Sequence, residues 1–96
     1  MVAEFNRWFE ENNAWLTDSG VRLELRQERE AVTAYLETES YVASITVWEL
    51  GSLDVHAVSC KTDQDVLAER YDLKNTEEML SVLREFCRKL INNLLE

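Results

Sequence analysis

His56 is the only histidine in the chain, and Cys60 stands four residues after it. A histidine beside a thiol is the pairing nucleophilic catalysis needs, with the imidazole drawing the proton from sulfur. If both sat on one strand face with Val58 between them, four residues of strand rise would hold them ~13 Å apart, too far to bond. The second cysteine, Cys87, falls within the apolar stripe of a C-terminal helical pattern, which predicts a buried, inert thiol. Two cysteines without CxxC spacing and one histidine are also too few for the four ligands of a structural zinc site.

Carboxylates are the other chemical resource. A carboxylate pair can move protons or hold Mg²⁺, but Asp63, Asp65 and Glu69 are no denser than a chain with 19 acidic residues would place them. There is no DxDxDG calcium loop. Gly20 and Gly51 are the only glycines, so no glycine-rich loop can cradle a phosphate. The residues therefore predict a protein that is not an enzyme, with no metal and no cofactor. Function then falls to a binding surface, and the elements of the fold decide which side chains form it.

Val2, Phe5, Trp8, Phe9, Trp15 and Leu16 follow helical spacing among Glu4, Arg7, Glu10 and Glu11, and Thr17-Asp18-Ser19-Gly20 is a stop. The period then changes to two. Val21, Leu23 and Leu25 alternate with Arg22, Glu24 and Arg26; Val32, Ala34 and Leu36 with Thr33 and Tyr35. Further on, Ala43, Ile45 and Val47 alternate with Ser44, Thr46 and Trp48, and Leu53, Val55 and Ala57 with Asp54, His56 and Val58. Short polar turns separate these runs, as in an antiparallel meander. A fifth strand is expected at about Val66 to Tyr71. Met79, Leu83, Phe86, Leu90 and Leu94 then recur at helical spacing, and Asn75 with Glu78 has the spacing of a capping box. The reading is one α+β domain over residues 1–96: two layers, a four- to five-stranded antiparallel meander, and an N-terminal and a C-terminal helix packed on one face.

Such a sheet buries one face and leaves the other to solvent. Parity assigns Val21, Leu23, Leu25, Val32, Ala34, Leu36, Ala43, Ile45, Val47, Leu53 and Val55 to the core. It turns Arg22, Glu24, Arg26, Thr33, Tyr35, Ser44, Thr46, Trp48, Asp54, His56 and Val58 outward. Aromatic side chains on an open face, ringed by polar ones, have the composition of an interface centre. Trp48, Glu49, Asp54 and His56, extended by Tyr35 and Glu24, are the candidate contacts. Aromatic pairing across strands and a homodimer stacked face to face would also account for Trp48 and Tyr35.

The chain has 96 residues, 46% of them hydrophobic, and a formal net charge of −9, so it can form a core but carries a surface that repels phosphates. Nucleic acids and anionic membranes are disfavoured as partners, and basic protein surfaces are attracted. The segment MVAEFNRWFEENN lacks the basic start and apolar run of a signal peptide. Two cysteines are fewer than a secreted domain of this size usually carries. The expected location is the cytoplasm.

Ile45, Val47, Trp48, Glu49, Gly51 and Asp54 trace an apolar strand ending in Trp, an acidic residue, a glycine turn and a strand with an acidic residue near its start. Together with Phe5-Asn6-Arg7-Trp8 in the first helix and the amphipathic last helix, this pattern resembles the TriTu-type immunity proteins of bacterial Rhs polymorphic toxin systems. The resemblance covers nearly the whole chain. Leu50 and Leu53 depart from it by making the turn more apolar than a solvated one. It implies a protein that binds an ADP-ribosyltransferase toxin delivered by type VI secretion and blocks its cleft before elongation factor Tu is modified. A type III-class secretion chaperone is the alternative, being also small, acidic and α+β. A metabolite-binding regulator, which would need an apolar pocket, is a third.

Overall fold

A computed structural model describes residues 1–96. Helix α1 spans Val2–Asp18, strands β1 to β5 span Arg22–Gln27, Ala31–Glu37, Tyr41–Trp48, Ser52–Ser59 and Asp65–Asp72, and helix α2 spans Thr76–Ile91. The strands lie in the order β1-β2-β3-β4-β5, each antiparallel to the one before it. The α+β meander of the sequence reading is the observed fold, with the fifth strand present.

Both helices end as their sequences dictate. Gly20 takes φ +88°, a left-handed value that costs glycine nothing. Its N–H donates to the Thr17 carbonyl and the Val21 N–H to that of Leu16, a Schellman closure that packs buried Val21 against buried Leu16. Helix α2 starts where the Asn75 side chain accepts the Glu78 N–H at 2.8 Å. It ends at Ile91, where Asn93 adopts φ +56° and Leu94 N–H returns to the Lys89 carbonyl.

One cluster of 20 buried side chains lies between the helices and one face of the sheet. Phe5, Trp8, Phe9 and Leu16 come from α1, and Met79, Leu83, Phe86, Cys87 and Leu90 from α2. The sheet supplies Val32, Ala34, Leu36, Ala43, Ile45, Val47, Leu53, Val55 and Ala57, the parity set of the three central strands.

All departures but one lie at the margins. Leu25, expected in the core, is 36% exposed, and Leu23 is half-buried, because β1 is an edge strand covered only along one side by α1. Trp15 is 39% exposed although its spacing fits the apolar stripe of α1, and Leu94 is 52% exposed because it lies beyond the turn that closes α2. Thr33, expected outward and solvated, is buried on the open face; it sits between neighbouring strands, and its hydroxyl bonds that of Thr46 at 2.8 Å. No helix is long and apolar enough to cross a membrane.

Candidate functional site

The helices cover one side of the sheet, and no element of the chain covers the other. Register fixes how the outward residues meet. Arg26, Thr33, Thr46, Asp54 and Arg70 form one row across the five strands, and Glu24, Tyr35, Ser44, His56 and Ala68 form the next. Trp48 lies beyond the first row, opposite Ala31.

This arrangement divides the expected patch into two groups. In the first, the Arg70 guanidinium lies 5.5 Å from the centre of the half-buried Trp48 ring, and its Nε is 3.7 Å from Asp54. In the second, Glu24 is paired in register with exposed Tyr35, whose ring has the Arg26 guanidinium 5.4 Å from its centre. Glu24 also binds Arg26 at 2.9 Å. His56 is in this row on the far side of Ser44, four residues along the strand from Trp48, or ~13 Å. Trp48 and Asp54 are therefore joined through Arg70, while His56 belongs with Tyr35 and Glu24. The exposed ion pairs add little to folding stability, and each arginine–aromatic contact contributes on the order of 0.5–1 kcal/mol.

Glu49 points the other way. Its carboxylate oxygens accept from the Met1 ammonium at 3.0 Å and from the Val2 N–H at 3.3 Å, so it satisfies the first turn of α1. The ammonium's hydrogen bond and charge hold the Glu49 carboxyl below its ordinary pKa. Beside it the β3–β4 turn raises Leu50, 96% exposed, over a cleft of about 330 Å³ lined by Val2, Gln27, Arg29, Glu30, Trp48 and Glu49. Gly51 closes the turn at φ +105°; a Cβ there would sit 3.1 Å from the Leu73 carbonyl, and Leu73 N–H in turn donates to Gly51. A side chain at Gly51 would strain the join between this turn and the end of β5.

Two residues of this surface escaped the sequence reading. Arg70 sits on β5, where Val66 and Leu67 are both half-buried and the alternation is too weak to set parity. Leu50 drew notice only as an apolar residue in a turn, yet it is the most exposed large hydrophobic side chain of the molecule.

The chemistry offered by the remaining candidates is slight. The β4–β5 ladder is irregular at Ala57/Val58 and β4 ends at Ser59, so Cys60 belongs to the turn rather than to the face of His56. His56 Nε2 meets Asp65 Oδ1 at 2.9 Å instead. No three His, Cys, Asp or Glu side chains converge as metal ligands would. Cys87 is buried, and burial pushes its thiol pKa up to about 12, while Cys60 is exposed. A thiol reagent at neutral pH should therefore modify one cysteine in the folded protein, with Cys60→Ser abolishing the labelling and Cys87→Ser leaving it intact. Mass spectrometry of the labelled protein checks this.

The arrangement suits protein binding: a sheet face bearing arginine-backed aromatics, with an apolar knob at one end. Comparison with curated proteins gives no match. A family model described as "Immunity protein TriTu" matches residues 3–89, which include all five strands and all but the outer ends of the two helices. The chain belongs to the TriTu immunity protein family.

Proposed function

We propose that this protein is the cytoplasmic immunity partner of an Rhs toxin domain delivered by type VI secretion, an ADP-ribosyltransferase that acts on elongation factor Tu. It binds that domain as a single folded unit and obstructs its active-site cleft, with no catalysis of its own. The observation that carries this reading is the uncovered sheet face with Trp48 and Tyr35 on it, in a chain of an immunity family. Trp48, Asp54 and Arg70 form the centre of the contact, Tyr35, Glu24 and His56 its flank, and Glu49 the rim beside Leu50.

The net charge of −9 supports a basic toxin surface as the counterpart. Opposite charge raises the association rate, and salt screens that gain over about 8–10 Å. The test is reconstitution: purified toxin domain, NAD and elongation factor Tu, with the protein titrated in. Modification should stop at a one-to-one ratio, and the association rate should fall as salt rises. Undiminished modification in the presence of excess protein would refute the pairing, and a rate independent of salt would remove charge steering from it.

A further inference from the structure

The outer edge of β1 is a self-complementary seam. Glu28 N–H donates to the Ala31 carbonyl at the β1–β2 hairpin, so the even-numbered residues Arg22, Glu24 and Arg26 direct their backbone groups towards β2. Leu23, Leu25 and Gln27 direct theirs away from the sheet, towards the unpaired edge. Their side chains lie on the helix side, where Leu25 is 36% exposed and Leu23 half-buried. These two leucines line a cleft of about 390 Å³ with Phe9, Glu10 and Asn13 of α1.

A second β1 strand laid antiparallel on this edge can form hydrogen bonds only in registers that oppose odd residues to odd residues. With Leu25 opposite Leu25 of the second copy, Glu24 faces Arg26, Arg26 faces Glu24, and Arg22 faces Glu28. Every charge on the strip meets its opposite. A shift of one residue either way centres the pairing on Glu24 or Arg26 and sets Glu24 against Glu24, or Arg26 against Arg26. Like charges directly opposite are destabilising, so charge disfavours both neighbouring registers; a further shift, to Leu23 opposite Leu23, keeps only the Arg22–Glu24 pairs and leaves Arg26 facing Gly20. Charges on an edge strand ordinarily discourage pairing; here their alternation in sign admits one partner strand, an inverted copy of itself.

The other edge is less suited to self-pairing. Leu73 N–H donates to Gly51, which leaves Ala68, Arg70 and Asp72 as the outward-directed residues of β5. Centring two β5 strands on Arg70 opposes the arginines, and centring them on Glu69 opposes the glutamates; centring on Tyr71 sets Arg70 against Asp72, but Arg70 is already engaged by Asp54 and the Trp48 ring of its own chain. Joining β1 to β5 would put the helix layer of one copy on the open-face side of the next, because the outward-directed residues of the two edges lie on opposite faces.

We propose that two copies associate through β1 about a two-fold axis at Leu25, joining their sheets into one with both helix layers on the same side. The leucines then cover each other at the mouths of the two clefts, and Glu24 and Arg26 of both copies form a four-charge cluster. The open faces stay free on the opposite side, so the dimer presents two binding faces in parallel.

Sedimentation equilibrium over a concentration series reaching millimolar tests this on the intact protein. The wild-type mass should rise from 11.2 kDa towards twice that value. Arg26→Glu places glutamates opposite each other at both ends of the cluster and should weaken association by about tenfold. The exchange variant Glu24→Arg/Arg26→Glu restores opposite pairs and should restore the dimer. Both positions are more than half exposed, so the variants should fold, as a thermal melt would show; if Arg26→Glu does not, Glu28→Arg breaks the outer pair instead. A wild-type mass of 11.2 kDa throughout, or an undiminished Arg26→Glu dimer, overturns the proposal.

Discussion

Trp48→Ala is expected to weaken binding of the toxin by about 30-fold, equivalent to about 2 kcal/mol, with the melting temperature nearly unchanged. The ring lies on the open face, half-buried under a guanidinium of its own chain rather than within the 20-residue core. Its removal takes away a large apolar contact and leaves Arg70 tethered only to Asp54. The free protein loses one arginine–aromatic contact, whereas the complex, with the contact proposed on the open face, loses its central anchor. Titration calorimetry and a thermal melt on the same variant separate the two effects. A melt depressed by more than about 8 °C would show that the ring belongs to the fold, since 1 kcal/mol shifts a domain of this size by about 4–8 °C. Unchanged binding would move the contact elsewhere, first to Leu50 and then to the acidic segment Asp63 to Asp72.

Phe9→Ala is expected to destabilise the fold by about 3–5 kcal/mol. Phe9 is fully buried; its ring centre is 4.9 Å from that of Phe5 and 4.9 Å from that of Trp8, with the tryptophan edge-on. Alanine removes both aromatic contacts and leaves a void that the sheet behind it cannot fill by moving. Domains of this size have a total stability of about 5–15 kcal/mol, so the loss is a large part of the whole. The melting temperature should fall by at least ~12 °C. Trp15→Ala on the same helix should change stability by no more than about 0.5 kcal/mol, because that side chain is 39% exposed. Equal losses at the two positions would mean that α1 buries a different face.

The contrast between Phe9 and Trp15 also marks what residue pattern can reveal. Period two marked the core face of the central strands: Ile45, Val47, Leu53 and Val55 are buried as their alternation requires, although Thr33, outward by the same rule, is buried between its neighbouring strands. Leu25 obeys the same alternation, yet it is exposed, because an edge strand has cover from one flank only. Trp15 fits a helical stripe, but spacing does not say where the partner layer stops. The open face was legible as a list of outward residues, and its layout was not. Arg70, which joins Trp48 to Asp54, comes from the strand with the weakest alternation, and the turn of Glu49 towards α1 depends on a contact spanning 48 residues of sequence. Charge could be counted from the sequence, but not located. The open face mixes Arg22, Arg26 and Arg70 with Glu24, Asp54 and Asp72, while α1 carries Glu4, Glu10, Glu11 and Asp18 against Arg7 alone.

The strand order bears on how quickly protection becomes available. Every strand pairs with its predecessor in the chain, so each hairpin can close as soon as its second strand leaves the ribosome, and the entropic cost of loop closure stays small. The chain has no proline, so no slow isomerisation about an X–Pro bond delays the process. Helix α2 follows all five strands and brings Met79, Leu83, Phe86 and Leu90 to the core. Until Thr76 to Ile91 has emerged, part of the apolar side of the sheet has no cover. Synthesis interrupted before that point would yield a sticky, protease-sensitive fragment, so the emergence of α2 sets when a working molecule exists.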